Sequence, residues 1–188
     1  YFTLQSIRVH HSEILPDTEF VIIDNNPTSP HGKAVKKFCT GRSSIKYIEH
    51  PECRGPADSK NQVFIHAETP YVLCMDGHIL LESGSLKKLL DFYSNNPETK
   101  NLHQGPLVYD CLTAISTHFD PVWRGHMFGT WATDERGETP SGDPFEIPMQ
   151  GTGVFSCAKD AWLGFNDKFR GFGGEEGYIH DKFKAASA

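Results

Sequence analysis

Tyr71-Val72-Leu73-Cys74-Met75 is an unbroken apolar run of strand length that stops abruptly at Asp76-Gly77-His78. Five apolar residues without alternation predict a strand covered on both faces. The segments around it switch period. Residues 56–68 are helical in pattern, with Val63, Phe64 and Ala67 on one side, and residues 85–94 place Leu86, Leu89, Leu90 and Tyr93 on one stripe. Upstream, Phe20-Val21-Ile22-Ile23 is a short β-branched run closed by the polar turn Asp24-Asn25-Asn26-Pro27. Ser29-Pro30 opens a helix, with serine as N-cap and proline at the first helical position, and Ala34, Val35 and Phe38 form its buried face. Residues 45–48 read as a further strand, and Tyr1, Leu4 and Ile7 are spaced as on a helix. Strands alternating with helices predict an α/β domain whose central sheet is mostly parallel and flanked by helices.

The second half has a different texture. Residues 107–115 predict a strand, and 118–149, rich in Gly, Pro, Trp and charge, predict a loop-rich insertion of the kind that forms lids or substrate-binding regions. Residues 153–157 predict another strand. Residues 171–176 form a glycine-rich turn into a final helix carrying Tyr178, Ile179 and Phe183.

Composition narrows the function classes. A chain of 188 residues suits one domain with a substantial core, and 38% hydrophobic residues with 13 Phe belong to a folded protein. Lys plus Arg number 18 against 24 Asp plus Glu, a net charge of −6, which speaks against general nucleic-acid binding. Five scattered cysteines without a C-x-x-C pair indicate neither a zinc knuckle nor a disulfide framework and favour a reducing, cytoplasmic setting. Cys74 and Cys157 read as small buried hydrophobes. No apolar run approaches the roughly 20 residues of a membrane span.

Five groups of residues have chemical potential. Asp76 and His78 flank a glycine at the C-terminal end of the buried strand, where open α/β sheets place their ligands, and an oxygen and a nitrogen donor there suit Mn²⁺ or Mg²⁺. The same triplet is also an ordinary polar turn. Asp24 ends its strand with a carboxylate able to hold ribose hydroxyls or a base N–H, or simply to close a turn. Glu175 and Glu176 follow two glycines at a helix N-terminus; one could act as a general base, although helix dipoles favour acids there in any protein. Lys60 and Arg54 flank the helix leading to Asp76 and suit phosphate charge or plain solvent. Trp123, His126, Phe128 and Trp131 offer sugar-stacking faces or a small core.

Taken in order, these features resemble GT-A glycosyltransferases of the family 2 type. They are similar still more to the polypeptide N-acetylgalactosaminyltransferases and galactosyltransferase-like C-terminal regions. Phe20-Val21-Ile22-Ile23-Asp24-Asn25 resembles the "VVDD" nucleotide-binding strand. Arg54-Gly55 through Ser59-Lys60-Asn61 resembles the "N-x-G…A-R-N" helix, with Lys60 where Arg is usual. Residues 71–78 look like the strand bearing the "DxD" or "DxH" metal motif. Pro148 to Phe155, Leu163-Gly164-Phe165-Asn166 and Gly171 to Glu176 are similar to the "P-x-x-x-G-G-x-F…G-x-[FY]-D…W-G-G-E-[DN]" pattern.

The resemblance implies an incomplete GT-A domain with a nucleotide-sugar-binding half, 1–97, and an acceptor-binding and catalytic half, 98–188. It implies metal at Asp76 and His78, nucleotide-sugar contacts from Asp24, Lys60, Asn61, Asp76, Gly153 and Gly174, catalytic roles for Glu176 and Glu175, and acceptor contact at Trp123. The partners would be a UDP-sugar donor and an acceptor glycan, protein, lipid or modified nucleic acid. The sequence also departs from the pattern. The family's first strand would precede Tyr1 and a third metal ligand would follow Ala188. Gln150-Gly151-Thr152-Gly153 replaces a double glycine, and Gly171-Phe172 stands where Trp is common. Glu176 replaces Asp or Asn; a carboxylate favours inversion, while Asp76-Gly77-His78 is like the retaining group. Two other classes stay open: a non-catalytic sugar-nucleotide or glycan-binding module on a degenerate scaffold, and a nucleotidyltransferase, which needs a basic glycine-rich loop near its first strand.

Overall fold

The computed structural model describes residues 1–139 and 143–187; part of the 118–149 insertion, residues 140–142, lies outside them. The chain opens with α1 (Phe2–His10) and a short 3₁₀ turn, then β1 (Phe20–Asp24) and α2 (Pro30–Cys39). Ser29 caps α2 as expected, its hydroxyl accepting from the Gly32 amide at 2.9 Å. β2 (Ile45–Glu49) runs parallel to β1, with Phe20 opposite Ile45 and Asp24 opposite Glu49. α3 (Pro56–His66) leads to β3 (Tyr71–Met75), and α4 (Ser85–Asn95) follows. After β4 (Leu107–Val108), β5 (Ile115–Ser116), β6 (His118–Arg124) and β7 (Met127–Ala132), the chain returns as β8 (Val154–Ala158) and ends in α5 (Glu175–Ala186).

The main core lies where α3, β3, β8 and α5 meet. Val72 and Cys74 of β3, Phe155 and Cys157 of β8, Phe64 of α3, and Ile179 and Phe183 of α5 are all buried together. Trp162 stacks on Phe64 at 4.0 Å between ring centroids, which adds aromatic contact to area burial. The burial expected of Cys74 and Cys157 is observed. None of the described helices is long and apolar enough to cross a membrane.

The α/β class holds, but the sheet differs from the expected one. Among the described residues, strands form four two-stranded ladders and only β1–β2 is parallel. β3 pairs antiparallel with β8, Tyr71 opposite Ala158 and Met75 opposite Val154. Strand identity is set by local apolar runs. Pairing direction is set by how the long excursion from β3 through the hairpins returns, and no local pattern encodes that. β1 and β3 do not pair with each other; an apolar cleft of about 1080 Å³ separates them. The cleft also explains α2. Ala34 and Val35, expected to be buried, are exposed and line it, and Phe38 beside them is half-buried.

Two other expectations change. The strand predicted over 107–115 is a hairpin of two short strands, and Leu112 in its turn has φ of 60°. Inside the 118–149 insertion, β6 and β7 form a second antiparallel hairpin that closes through Gly125 at φ of 61°. A glycine-containing two-residue connection, Gly125-His126, between aromatic-rich flanks is the hairpin signal that the compositional reading passed over.

Candidate active site

β3 ends in the core, and its ladder with β8 delivers Asp76 to the edge. The Asp76 amide donates to the Gly153 carbonyl at 2.8 Å, one step past the Met75–Val154 pair. A side chain at Gly153 would come within 3.7 Å of Asp76 Oδ2, so glycine keeps that flank of the carboxylate open. From α3, the buried Lys60 brings Nζ to 3.5 Å from Asp76 Oδ1. The same ammonium donates to Thr152 Oγ1 at 3.2 Å, and the Thr152 hydroxyl donates to Glu176 Oε1 at 3.2 Å. A cation on α3, a carboxylate after β3, a hydroxyl before β8 and a carboxylate on α5 thus form one connected polar chain.

Burial, more than any other influence, holds the Glu176 carboxyl above the ordinary glutamate range; the Glu175 charge adds to this, and the Thr152 hydrogen bond and Lys60 oppose it. Glu175 is 2% exposed. Its Oε2 accepts from the Gly173 amide at 2.8 Å, while Oε1 is buried with no described partner, as is Gln150 Nε2. Unpaired buried polar atoms cost free energy and point to a group that supplies the missing bond. The glycine-rich turn allows this arrangement: Gly173 and Gly174 adopt φ of 103° and 87°, conformations that other residues resist. The turn is held from outside by the Gly171 amide donating to the Arg54 carbonyl at 2.9 Å.

Asp24 sits at the end of β1 and lines the same cleft as Asp76 and Gly77. Its Oδ1 accepts from the Asn26 amide at 2.9 Å and its Oδ2 from the Tyr47 hydroxyl at 2.6 Å. Burial first, then the hydrogen bond to Asp24 and the charge of that carboxylate, raises the Tyr47 phenol above its usual value, so it stays a donor. His78 is exposed in the turn after Asp76, and Asp76 Oδ2 and the His78 ring accept no bond from a described side chain. One carboxylate oxygen and one imidazole nitrogen fit a hard divalent cation that takes its other ligands from diphosphate or water. Among the described residues, neither Asp76 nor His78 belongs to a group of three converging ligand atoms.

Other expected site residues lie elsewhere. The Asn61 side chain is occupied within the fold: Oδ1 accepts from the Phe165 amide at 2.9 Å and from Trp162 Nε1 at 3.3 Å, and Nδ2 donates to the Phe165 carbonyl. Trp123 projects from β6 at 71% exposure, edge-on to Phe128. A side chain at Gly177 would meet Phe128 at 3.4 Å, so this hairpin flanks the first turn of α5, close to Glu176. Trp131 instead stacks on Phe119 at 4.0 Å, against Gly151, and belongs to a small core.

Two participants escaped the sequence reading. Thr152 was noticed only as a departure from a double glycine, and Tyr47 gave no signal until the β1–β2 register placed it beside Ile22, two residues from Asp24. Among curated proteins, no relative matches the chain. The family model for Glycosyl transferase family 2 matches residues 2–158, covering α1 through β8 and so Asp24, Lys60, Asp76 and Thr152; the glycine turn and α5 follow the matched region. A match over most of the length, on a chain with this α/β architecture, places it in that family: the chain belongs to glycosyl transferase family 2 and has the GT-A fold.

Proposed function

We propose that this chain transfers a hexose or N-acetylhexosamine from a UDP-sugar to an acceptor hydroxyl, with a divalent cation at Asp76 and His78. The observation that carries the reading is the connected chain of Lys60, Asp76, Thr152 and Glu176 at the mouth of the β3–β8 ladder. Mn²⁺, or Mg²⁺, held by Asp76 Oδ and a His78 ring nitrogen would supply charge stabilisation to the diphosphate.

The protein groups divide the remaining work. Asp24, steadied by Tyr47, accepts hydrogen bonds from the nucleoside. Lys60 supplies positive charge near the phosphates, where charge grows as the glycosidic C–O bond breaks. Gly153 and Gly174 let backbone approach the sugar. Asn61 fixes α3 to the 162–165 loop and acts on the donor site through that packing. The acceptor oxygen forms its bond to the anomeric carbon, UDP leaves with the bonding pair, and Glu176 takes the hydroxyl proton. A carboxyl held above its usual range is a better-matched base near neutral pH. Glu175, with one buried oxygen unpaired, accepts from a sugar or acceptor hydroxyl. Trp123 offers an exposed face on the acceptor side.

Calorimetric titration of UDP, with and without Mn²⁺, tests the donor site. Binding that requires Mn²⁺ and is lost in His78→Ala supports the reading. Binding indifferent to both the metal and the substitution rejects it.

A further inference from the structure

A second group of ligating atoms lies outside the chain of residues described above. His50 and Cys53 follow β2, Asp58 sits in the first turn of α3, and one donor atom from each lies within 4.8 Å of the other two. Among the described residues this is the one cluster of three such groups. We infer that His50, Cys53 and Asp58 form a binding site for a thiophilic divalent cation of the Zn²⁺ class, distinct from the hard-cation position at Asp76 and His78.

The donor set argues for this class. A thiolate, an imidazole and a carboxylate are the ligands Zn²⁺ takes, with a fourth position left for water, whereas Mn²⁺ and Mg²⁺ prefer oxygen-rich sites. Tetrahedral zinc places its ligand atoms roughly 3.5 Å apart, given bond lengths of about 2.0–2.3 Å. His50 Nε2 is 3.0 Å from Asp58 Oδ2, so closing the cluster needs only side-chain rotation. In the metal-free chain the Cys53 thiol donates to the Gly55 carbonyl at 3.3 Å, a bond that metal binding would replace. Cys53 Sγ lies 3.7 Å from Asn25 Nδ2 and 3.0 Å from Ser59 Oγ, two groups able to donate to a thiolate. The N-terminus of α3 adds its positive dipole end.

Arg54 is the competitor. Its backbone amide and Nε both donate to Asp58 Oδ2, and Nη2 donates to Oδ1. Oδ1 accepts this one bond, which leaves it lone-pair capacity for a cation. One thiolate and one carboxylate match the two charges of a divalent ion; with the Arg54 guanidinium still on Asp58 the group carries one net positive charge, so the cation and Arg54 compete for that carboxylate. Forming the site releases the Cys53 thiol proton to solvent and involves no redox step.

Position gives the site a consequence. The His50 amide donates to the Asp24 carbonyl at 2.8 Å, and the Arg54 carbonyl accepts from the Gly171 amide. Gly55, at φ of 139°, packs so closely on Gly171 that a side chain there would meet the Gly171 carbonyl oxygen at 2.2 Å. A cation clamping residues 50–58 would therefore brace both the end of β1 and the glycine turn that leads into α5.

Co²⁺ titration of the chain under reducing conditions tests the inference, because cobalt bound to a thiolate gives a charge-transfer absorption. One Co²⁺ per chain is expected, with that band, displaced by Zn²⁺ and accompanied by proton release. The band should vanish in Cys53→Ser and persist in Cys111→Ser, whose thiol is exposed, and in His78→Ala. His50→Ala should weaken Zn²⁺ binding at least about tenfold. Circular dichroism of each variant separates ligand loss from unfolding. A wild-type chain without the band, or a band that survives Cys53→Ser or disappears in folded Cys111→Ser, overturns the site and leaves the donor-site reading untouched.

Discussion

The cleft has two walls, and they are built differently. The β3–β8 wall is anchored: all five residues of β8 are buried, β3 contributes Val72 and Cys74 to the core, and α3 and α5 pack behind them. In the β1–β2 wall none of the ten residues is fully buried: β1 and part of α2 open onto the cleft, and β2 is a mixed strand that carries Lys46 and Glu49. Each wall ends in an aspartate. Asp76 is fixed by a ladder, a buried lysine and a core, while Asp24 is fixed by one turn and one tyrosine. On the proposed reading the anchored wall carries the groups beside the breaking bond, where preorganised charge is worth most, and the open wall faces the nucleoside.

The largest effect should follow from Glu176→Gln. Loss of a general base lowers turnover by about 10²–10⁴-fold, measurable as UDP release once a donor and acceptor pair is identified. The amide can keep the Thr152 hydrogen bond, so the fold should survive. The pH dependence has a definite sign. A carboxyl whose folded-state pKa is raised holds its proton longer in the folded chain, and its contribution to stability is present at low pH and lost as pH rises through that folded value. Turnover runs the other way, falling as acid protonates the base. Glu176→Gln should flatten both profiles; a variant with unchanged turnover would remove the proposed base.

Next in size is a stability contrast between the walls. Phe155→Ala, at 1% exposure and packed against Phe64 and Trp162, should cost about 3–5 kcal/mol in urea unfolding. Val21→Ala, on the half-buried β1, should cost about 1 kcal/mol. Equal losses would erase the distinction between anchored and open walls. Below these lies Tyr47→Phe, which removes the donor to Asp24. A hydrogen bond to a charged group is worth about 1.5–3 kcal/mol, and partial exposure of Asp24 argues for the lower end, read as a loss of that size in urea unfolding together with weaker UDP binding.

Much of both walls was readable in advance because the signals are local. The run from Tyr71 to Met75, the serine cap before Pro30 and the paired glycines before Glu175 each state their structure within a few residues. What escaped depends on distance along the chain. The antiparallel return of β8 beside β3 is a long-range event, and so is the meeting of Lys60 with Thr152 across 92 positions. Asn61 shows the same limit from the other side: its motif position matched, but its partners near Phe165 are 104 residues away and place it in packing, not in the polar chain. The sequence therefore indicated which polar groups stand at strand ends better than the contacts that orient them.

Trp123 gives the smallest effect and the sharpest test of where the acceptor lies. Its ring is 71% exposed and touches Phe128 edge-on, with Phe128 beside Gly177. Removing an exposed side chain should change folding stability by less than about 0.5 kcal/mol. If the ring stacks on an acceptor sugar, Trp123→Ala should raise the acceptor KM by about two- to tenfold, the equivalent of roughly 0.5–1.5 kcal/mol, and leave the donor KM unchanged. A change confined to the donor would put the hairpin on the nucleoside side of the cleft and undo the division between the two walls. A change in unfolding alone would make Trp123 a packing residue of the β6–β7 hairpin, and the acceptor would then have to be sought nearer to the unpaired Glu175 oxygen.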